Sequence, residues 1–397
     1  MAYTKVKPLM VASFPSSRLT GAFGAINGAS LTGLGDGIDT KSASSNPAIN
    51  TNPAAVGHTW LNKTSGEMFV CTTATTDANV WVNVGENLFG VGKPFGGVGG
   101  GTQFGYCAGG ASPNSRIDKF ALGGSGVTAT TIGNLTKGAI YMGGGHSSTT
   151  HGYVSGGSPN GGTTGLFSVD EFTFASGATR TMSGVILNGV GNGKNVCSGH
   201  SSLTHGYTAG GYGTNSPQGI GIDKWAYSSS SAAADWGDLL TTKYNAAAHT
   251  SSTDAYASGG HLGFGLSNTT RVETFSLANS NRTTTHSNLT SAPNSRRVGS
   301  NNSTHGYTAG GGSTNVIDKY AFASNANATD HGNLSTNREA NSGCSSTTSG
   351  YYLGGAHGSV PFGKTIDKFL FASTTTATDH GDLTTQNFNF GSSGCQQ

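Results

Sequence analysis

The sequence of 397 residues carries little charge. Lys and Arg number 21 and Asp and Glu number 19, so that 10% of the residues are charged and the net charge is +2. Soluble domains usually have about a quarter of their residues charged. No basic run or stripe interrupts the chain, and the electrostatic pattern of a nucleic-acid-binding protein is therefore missing. We expect no nucleic-acid partner.

Long apolar runs and paired cysteines are missing too. No stretch approaches the ~20 residues of a membrane helix, and the first residues, MAYTKVKPLMVASFPSS, lack the apolar core of a secretion signal. Cys71, Cys107, Cys197, Cys344 and Cys395 are odd in number and far apart, without a CxxC pair. We expect no membrane insertion, no disulfide framework, no metal, no cofactor, and synthesis in a reducing cytoplasm.

Glycine is abundant instead, with 65 residues. Such a composition can accompany disorder, but here aromatic and β-branched residues recur regularly, which disorder does not require. Six tyrosines, each followed by a double glycine, stand 44 to 54 residues apart along the chain. These tyrosines are Tyr106, Tyr153, Tyr207, Tyr256, Tyr307 and Tyr351.

Each repeat unit contains one part of constant length and one of variable length. In each unit an acid follows the double glycine after 7 to 13 residues. The acid stands in the phrase RIDKF, SVDEF, GIDKW, RVETF, VIDKY or TIDKF. A leucine-containing phrase follows the acid after 16 or 17 residues. Units of 40 to 50 residues with four short strands are typical of propeller blades. In the last unit we predict strand a at SGCSS (342–346), strand b at GYYLGG, strand c at TIDKFLF and strand d around ATDHGDL.

The order of a small-residue strand, Tyr with a double glycine, an aromatic strand and a d-strand phrase resembles kelch repeats over residues 95–397. Kelch units usually carry a Trp in strand d, whereas here only the third unit has one, Trp236. The resemblance implies an all-β fold, a six-bladed kelch-like β-propeller over residues 91–397. Two segments could supply strand a of the first unit, 95–102 and the C-terminal 388–397. We predict that the C-terminal segment does so and thereby closes the ring.

The first ninety residues do not repeat. Residues 1–56 are rich in Gly, Ala and Ser, and we expect an extended attachment segment. Residues 57–90 contain three predicted short strands separated by NKTSGE and TTDAN. The phrase GHTWLNKTSGEMFVCTTATTDANVWVNVG resembles small β modules of bacteriophage tail fibres and other virion appendages. Trp60, Asn62, Gly66, Cys71 and Trp81 carry that resemblance.

The resemblance implies a structural protein of the virion tail, a fibre or tail-tip adhesin, which is a homotrimer. Residues 1–90 would bind other tail proteins, and the propeller would face outward and bind host surface polysaccharide or another receptor. Two alternatives stay open: a glycan-active propeller enzyme, and a kelch-type scaffold for protein partners. The enzyme would need two carboxylates about 5–10 Å apart.

The acids recur at one slot of strand c: Asp118, Asp170, Asp223, Glu273, Asp318 and Asp367. A catalytic acid is normally confined to one blade, so we expect these six to pair with a nearby Lys or backbone donor, and we expect no catalytic residue. His146 with His151, and His200 with His205, are five residues apart and would lie on opposite faces of a continuous strand. We expect them, and His331 and His380 in strand d, to pack between blades or form hydrogen bonds rather than bind metal.

A ligand would bind at the variable connections between strands b and c, because connections carry function while the scaffold holds them in place. The aromatic and imidazole side chains there are the candidate ligand-binding residues: Phe167, Tyr212, His261, Phe264, His357 and Phe362.

Overall fold

The computed structural model describes residues 40–45, 47–48, 50–53, 55–62, 68–83, 103–110, 115–137, 143–159, 165–188, 193–211, 219–263, 267–292, 296–312, 314–339, 342–355, 363–385 and 393–396. Every regular element in these ranges is a β-strand. No helix in the described part of the chain is long and apolar enough to cross a membrane. The chain divides into two compact units, Met1–Asn87 and Leu88–Gln397.

The first unit contains one sheet of four strands in chain order: β1 (Thr40–Ala43), β2 (Thr59–Asn62), β3 (Met68–Thr73) and β4 (Val80–Asn83). The last three are antiparallel and lie where the sequence predicts them. β1 comes from the segment expected to be extended, and it pairs in parallel with β2. A sheet edge offers unpaired backbone groups, so a strand can add there without large apolar side chains.

The second unit contains 25 strands in the described ranges, β5 to β29. They are β5 (Phe104–Ala108), β6 (Arg116–Ala121), β7 (Val127–Thr128), β8 (Thr130–Asn134), β9 (Gly144–Ser147), β10 (His151–Ser155), β11 (Val169–Thr173), β12 (Thr179–Thr181), β13 (Ser198–Ser201), β14 (His205–Ala209), β15 (Gly221–Ala226), β16 (Ala234–Asp238), β17 (Ala247–Thr250), β18 (Asp254–Ser258), β19 (Arg271–Ser276), β20 (Thr283–Asn288), β21 (Val298–Asn301), β22 (His305–Ala309), β23 (Val316–Ala321), β24 (Thr329–Asn333), β25 (Ser342–Ser345), β26 (Ser349–Leu353), β27 (Thr365–Leu370), β28 (Thr378–Asp382) and β29 (Ser393–Gln396).

These strands form six sheets, each an antiparallel a-b-c-d set that follows the repeats. Sheet 1 has the order β29-β5-β6-β8, and sheets 2 to 6 contain β9–β12, β13–β16, β17–β20, β21–β24 and β25–β28. β7 adds to the outer edge of sheet 6 in parallel. The a strands contact one another in a closed cycle from sheet 1 through sheet 6. The fold of this unit is therefore all-β and propeller-like.

The C-terminal strand closes the cycle. β29 pairs antiparallel with β5, and Cys395 lies opposite Tyr106. The prediction that the chain's end supplies strand a of the first unit is confirmed. The competing segment, 95–102, lies outside the described residues.

Close packing explains why glycine precedes the repeated tyrosine. A Cβ on Gly152 would lie 2.2 Å from the ring of Phe172 in the same sheet, and a Cβ on Gly350 would lie 2.2 Å from Phe369. The double glycines have a different cause, since both members have positive φ, as at Gly310 (68°) and Gly311 (99°). Side chains other than glycine's disfavour that backbone region.

Both faces of each sheet contribute buried side chains to the contacts with neighbouring sheets. The ring of Tyr307 in sheet 5 stacks on Phe371 of sheet 6 at 4.6 Å, and its hydroxyl donates to the Phe371 carbonyl. In strand c, Ile366 and Asp367 are both buried, although they point to opposite faces. Polar and apolar positions of strand c therefore do not separate into a solvent face and a core face.

Candidate functional site

The six recurring carboxylates join neighbouring sheets. In sheet 6, the Asp367 carboxylate accepts hydrogen bonds from the backbone N–H of Ser335 (3.1 Å) and its hydroxyl (2.8 Å), and from Arg338 Nη2 (3.2 Å). Ser335 and Arg338 follow strand d of sheet 5. Carboxylates in the other sheets accept from the same region of the preceding sheet: Asp118 from Thr384, Asp170 from Thr136, Asp223 from Asn188, Glu273 from Leu240 and Thr241, and Asp318 from Thr290.

Four of these carboxylates also pair with a buried cation. The ion pairs are Lys194–Asp223 (3.1 Å), Lys243–Glu273 (3.7 Å), Arg297–Asp318 (2.8 Å) and Arg338–Asp367 (3.2 Å). The expectation that the recurring acids pair with a nearby Lys or backbone donor is confirmed, and Arg serves as well as Lys. All six acids of the slot are held between sheets.

Burial dominates the electrostatics of these pairs. It raises the pKa of Asp223 and of Asp367, and the opposing cations, Lys194 and Arg338, offset the rise. Burial lowers the pKa of Lys243 to about 8, against the attraction of Glu273. Each pair therefore depends on its partner, because a single buried charge would be strongly penalised.

Histidines occupy strand a of sheets 2, 3 and 4 and connect them. Nδ1 of His146 donates to the carbonyl of His200 (2.8 Å), His200 to His249 (3.1 Å), and His249 to Ser300 (3.1 Å). Each Nε2 bonds a hydroxyl, as with Ser155 and His146 at 2.7 Å. Burial lowers the pKa of His146 and His249 to about 3 and that of His200 to about 4. These imidazoles are therefore neutral at pH 7.

Strand d carries a second row of connecting side chains. Nε2 of His286, His331 and His380 donates to a carbonyl at the end of strand c in the next sheet, at Ala321, Leu370 and Ala121. Nε1 of Trp236 does the same at Ser276 (2.8 Å). Histidine in sheets 4, 5 and 6 therefore makes the contact that Trp236 makes in sheet 3, because both side chains offer a ring N–H at this position.

The expected contacts between sheets are confirmed for His146, His200, His331 and His380, but the geometry within each pair differs from the expectation. His146 ends up on β9 and His151 begins β10, with a hairpin between them. His146 is buried and bonds sheet 3, whereas His151 Nε2 lies 3.4 Å from Glu171. The described residues contain no group of three or more His, Cys, Asp or Glu that could hold a metal ion.

Two of the six candidate ligand-binding residues lie in the described ranges. Phe167 is 37% exposed, and its carbonyl accepts from the N–H of Leu187. His261 is half-buried, and its ring stacks on Tyr244 at 4.7 Å. The two residues belong to the b–c connections of different sheets, 2 and 4. Tyr212, Phe264, His357 and Phe362 lie outside the described residues, so the ligand assignment stays a prediction.

A row of lysines was not assigned from the sequence. The residue after the recurring acid is Lys119, Lys224, Lys319 or Lys368 in four of the six sheets. All four are half-buried, and each ammonium group lies over an aromatic ring of its own sheet. The repeated IDK triplet could have predicted this row of lysines, because it occurs in four of the six units.

No protein-family model matches the chain, and no curated protein matches it. Among solved structures, that of YjhT is similar, with 13% identity and a TM-score of 0.54 over 68% of this chain and 92% of that chain. At this identity the likeness concerns the fold alone, and it agrees with the propeller-like arrangement of the second unit.

Proposed function

We propose that the second unit is a six-bladed, kelch-like β-propeller, and that the protein is a structural component of a bacteriophage tail. Residues 1–90 attach the chain, as a homotrimer, to other tail proteins. The propeller faces outward and binds glycan on the host surface without cleaving it.

The observation that carries a binding role over an enzymatic one is the placement of the recurring carboxylates. Glycan cleavage draws on two carboxyl groups that reach the substrate. The six acids of strand c instead hold sheets together, with Asp318 and Asp367 buried against arginines. The repeat thus supplies a rigid scaffold, while the b–c connections differ in length and sequence.

The tail location depends on the first unit. Its phrase at residues 57–85 is the part that resembles virion appendage modules. The sheet formed there is small, with Phe69 and Cys71 as its buried hydrophobic residues in the described ranges. A sheet of this size gains stability by packing on another surface, which suits an attachment module.

Mass spectrometry of purified virions tests the location. We expect peptides of this chain in the tail fraction. Their absence, with the chain found in the infected cell, would favour the kelch-type scaffold for protein partners instead.

Adsorption assays test the binding face. Replacing Phe264 or Tyr212 with Ala should weaken adsorption to host cells at an unchanged melting temperature, because we expect a variable connection to contribute ligand contacts rather than stability. Ile186→Ala is a matched control, since Ile186 is 57% exposed but follows strand d. Unchanged adsorption with both aromatic residues replaced would remove the assignment of these connections.

A further inference from the structure

The lysines of the IDK triplets lie without carboxylate partners. Lys119, Lys224, Lys319 and Lys368 form no ion pair with any acid in the described residues, whereas the acid next to each of them is bonded to the preceding sheet. Neighbouring residues of a strand point to opposite faces. Each of these four c strands therefore has a satisfied carboxylate on one face and a lysine without a counter-ion on the other.

Aromatic rings and imidazoles surround these lysines. Lys119 Nζ lies 3.8 Å from the ring centroid of Phe104, and Lys224 Nζ lies 3.6 Å from that of Trp236. Lys368 Nζ lies over the Tyr351 ring and also 3.5 Å from the carbonyl of Leu122, which leaves two of its three N–H groups. A cation over a ring face can offer its remaining N–H groups to an anion.

Histidine adds a second titratable side chain beside the lysine in two sheets. The register pairs Tyr307 with Lys319 and His305 with Ala321, so that His305 and Lys319 are diagonal neighbours on one face. His205 and Lys224 have the same relationship in sheet 3. Nδ1 of His205 and of His305 lies 2.8 Å from a threonine hydroxyl. Burial, and then the nearby lysine, lower the pKa of both histidines, which an approaching anion would reverse.

The position of these groups is the same in each sheet. His205 and His305 begin strand b, so the groups lie toward the end of the sheet opposite the b–c connections. The acids of strand d in sheets 3, 5 and 6, Asp235, Asp330 and Asp379, are exposed and accept from the backbone N–H two residues further on. They adjoin Trp236, His331 and His380 in sequence and therefore point to the other face of the strand.

We propose that these lysine faces in sheets 1, 3, 5 and 6 form a binding surface for an acidic polysaccharide, one whose sugars carry carboxylate or phosphate groups. The proposal rests on the glycan-binding role above and adds a second contact surface, at the end of the sheets opposite the b–c connections. Acidic sugars combine an anion for Lys with an apolar ring face for the neighbouring aromatic. Sheets 2 and 4 do not contribute, because Glu171 and Thr274 replace the lysine, and Glu171 pairs with Arg180 (3.1 Å).

The test measures binding of the purified full-length chain to immobilised polysaccharides. Polyguluronate presents carboxylates, poly(glycerol phosphate) presents phosphates, dextran is neutral, and single-stranded DNA is a polyanion without acidic sugars. We expect binding to one or both acidic polymers, none to dextran, and weakening near 1 M salt, where the Debye length is about 3 Å. The polymer that binds more tightly identifies the anionic group.

The double variant Lys319→Met, Lys368→Met should bind at least about tenfold more weakly, because two charge-assisted contacts are lost while the side-chain stems still cover the rings. The matched control is Lys137→Met, Arg282→Met. It removes the same charge from two exposed positions that lie outside both the lysine faces and the b–c connections, and it should bind like the unmodified chain.

Three results would overturn the proposal: no binding to either acidic polymer, an equal loss in both double variants, or equally tight binding to DNA. An unchanged melting temperature shows that the lysine variants fold. The outcome is separable from the tail assignment, because detection of the chain in virions does not depend on these lysines.

Discussion

The carboxylate of Asp118 accepts hydrogen bonds from the backbone N–H of Thr384 at 3.0 Å and from its hydroxyl at 2.8 Å, across 266 residues of sequence. In the other five sheets the recurring carboxylate likewise accepts hydrogen bonds from the preceding sheet. Here the same contact joins the first sheet to the last. Together with the β29–β5 pairing it fixes the two ends of the second unit to each other.

Replacement of Asp118 by Ala should therefore lower the free energy of unfolding by ~1–3 kcal/mol, because the N–H of Thr384 loses its acceptor in a buried contact. Urea titration followed by tryptophan fluorescence measures the change. Asp238→Ala is the control, since that carboxylate is exposed, and it should shift the midpoint little. Equal effects of the two variants would mean that the closing contact contributes no special stability.

Deletion of residues 388–397 should have a larger effect. It removes β29 and leaves the backbone groups of β5 unpaired at a free edge, which invites pairing with other chains. We expect a lower melting temperature and earlier elution in size-exclusion chromatography. A truncated chain that melts and elutes like the full chain would show that the ring does not depend on this strand.

Acid should destabilise the protein through the buried histidines. His146, His200 and His249 are neutral in the folded state, with pKa values of about 3, 4 and 3, whereas an unfolded histidine titrates near 6.5. Their contribution to the free energy of unfolding is complete above pH 6.5. It falls below that pH, because the unfolded chain takes up protons that the folded chain does not. For His200 the loss approaches roughly 3 kcal/mol near pH 4.

The stability of His200→Gln, measured by urea titration from pH 7.5 to pH 4, should decline less steeply than that of the unmodified chain. His205→Gln is the control, because His205 is only half-buried and solvent weakens the effect of its lowered pKa on stability. Identical slopes for the unmodified chain and His200→Gln would contradict this account.

The repeat made the strands and the closure predictable, because their signals are local and recur. Tyrosine, double glycine and the acid stand in register six times, and Cys344 and Cys395 fall at the same slot of strand a. The structural role of the acids could be inferred for the same reason, since catalysis does not need six copies.

The partners of those acids could not be predicted, because they stand at different distances after strand d. Arg338 follows Leu334 by four residues, whereas Arg297 follows Leu289 by eight, and only the folded backbone brings both to equivalent carboxylates. Strand β1 of the first unit was not predicted from the sequence, for another reason. The residues of β1, TKSA, have no strand pattern of their own, and they are ordered by the edge of β2.

The glycine that precedes five of the six repeated tyrosines should not tolerate a side chain. A Cβ at position 152 would lie within 3 Å of three atoms of the Phe172 ring, so Gly152→Ala should cost ~1–3 kcal/mol of overpacking. Gly123→Ala is the matched control, because no atom lies within 4 Å of a Cβ there. Thermal unfolding of both variants measures the difference, and equal stability would show that the Phe172 ring moves aside freely. Sheet 4 has Ala255 at this position, opposite Phe275. We therefore expect the loss of stability only in the sheets that have glycine there.

The buried pair of Lys243 and Glu273 should behave as a unit. Both side chains are fully buried, with 3.7 Å between Nζ and Oε1. Glu273→Gln leaves the lysine charge with the carbonyls of Ala257 and Arg271, and it should destabilise the protein by ~3–5 kcal/mol. Adding Lys243→Met to that variant should recover much of the loss, because the remaining buried charge is removed. Equilibrium unfolding of the four members of this double-mutant cycle measures the coupling energy.

The control is the pair Lys364 and Asp382, which lie 2.9 Å apart but are about half exposed. The coupling energy of this pair should be less than ~1 kcal/mol. Equal coupling energies for the two pairs would contradict the view that burial, rather than distance, makes the carboxylates of strand c indispensable to the contacts between sheets.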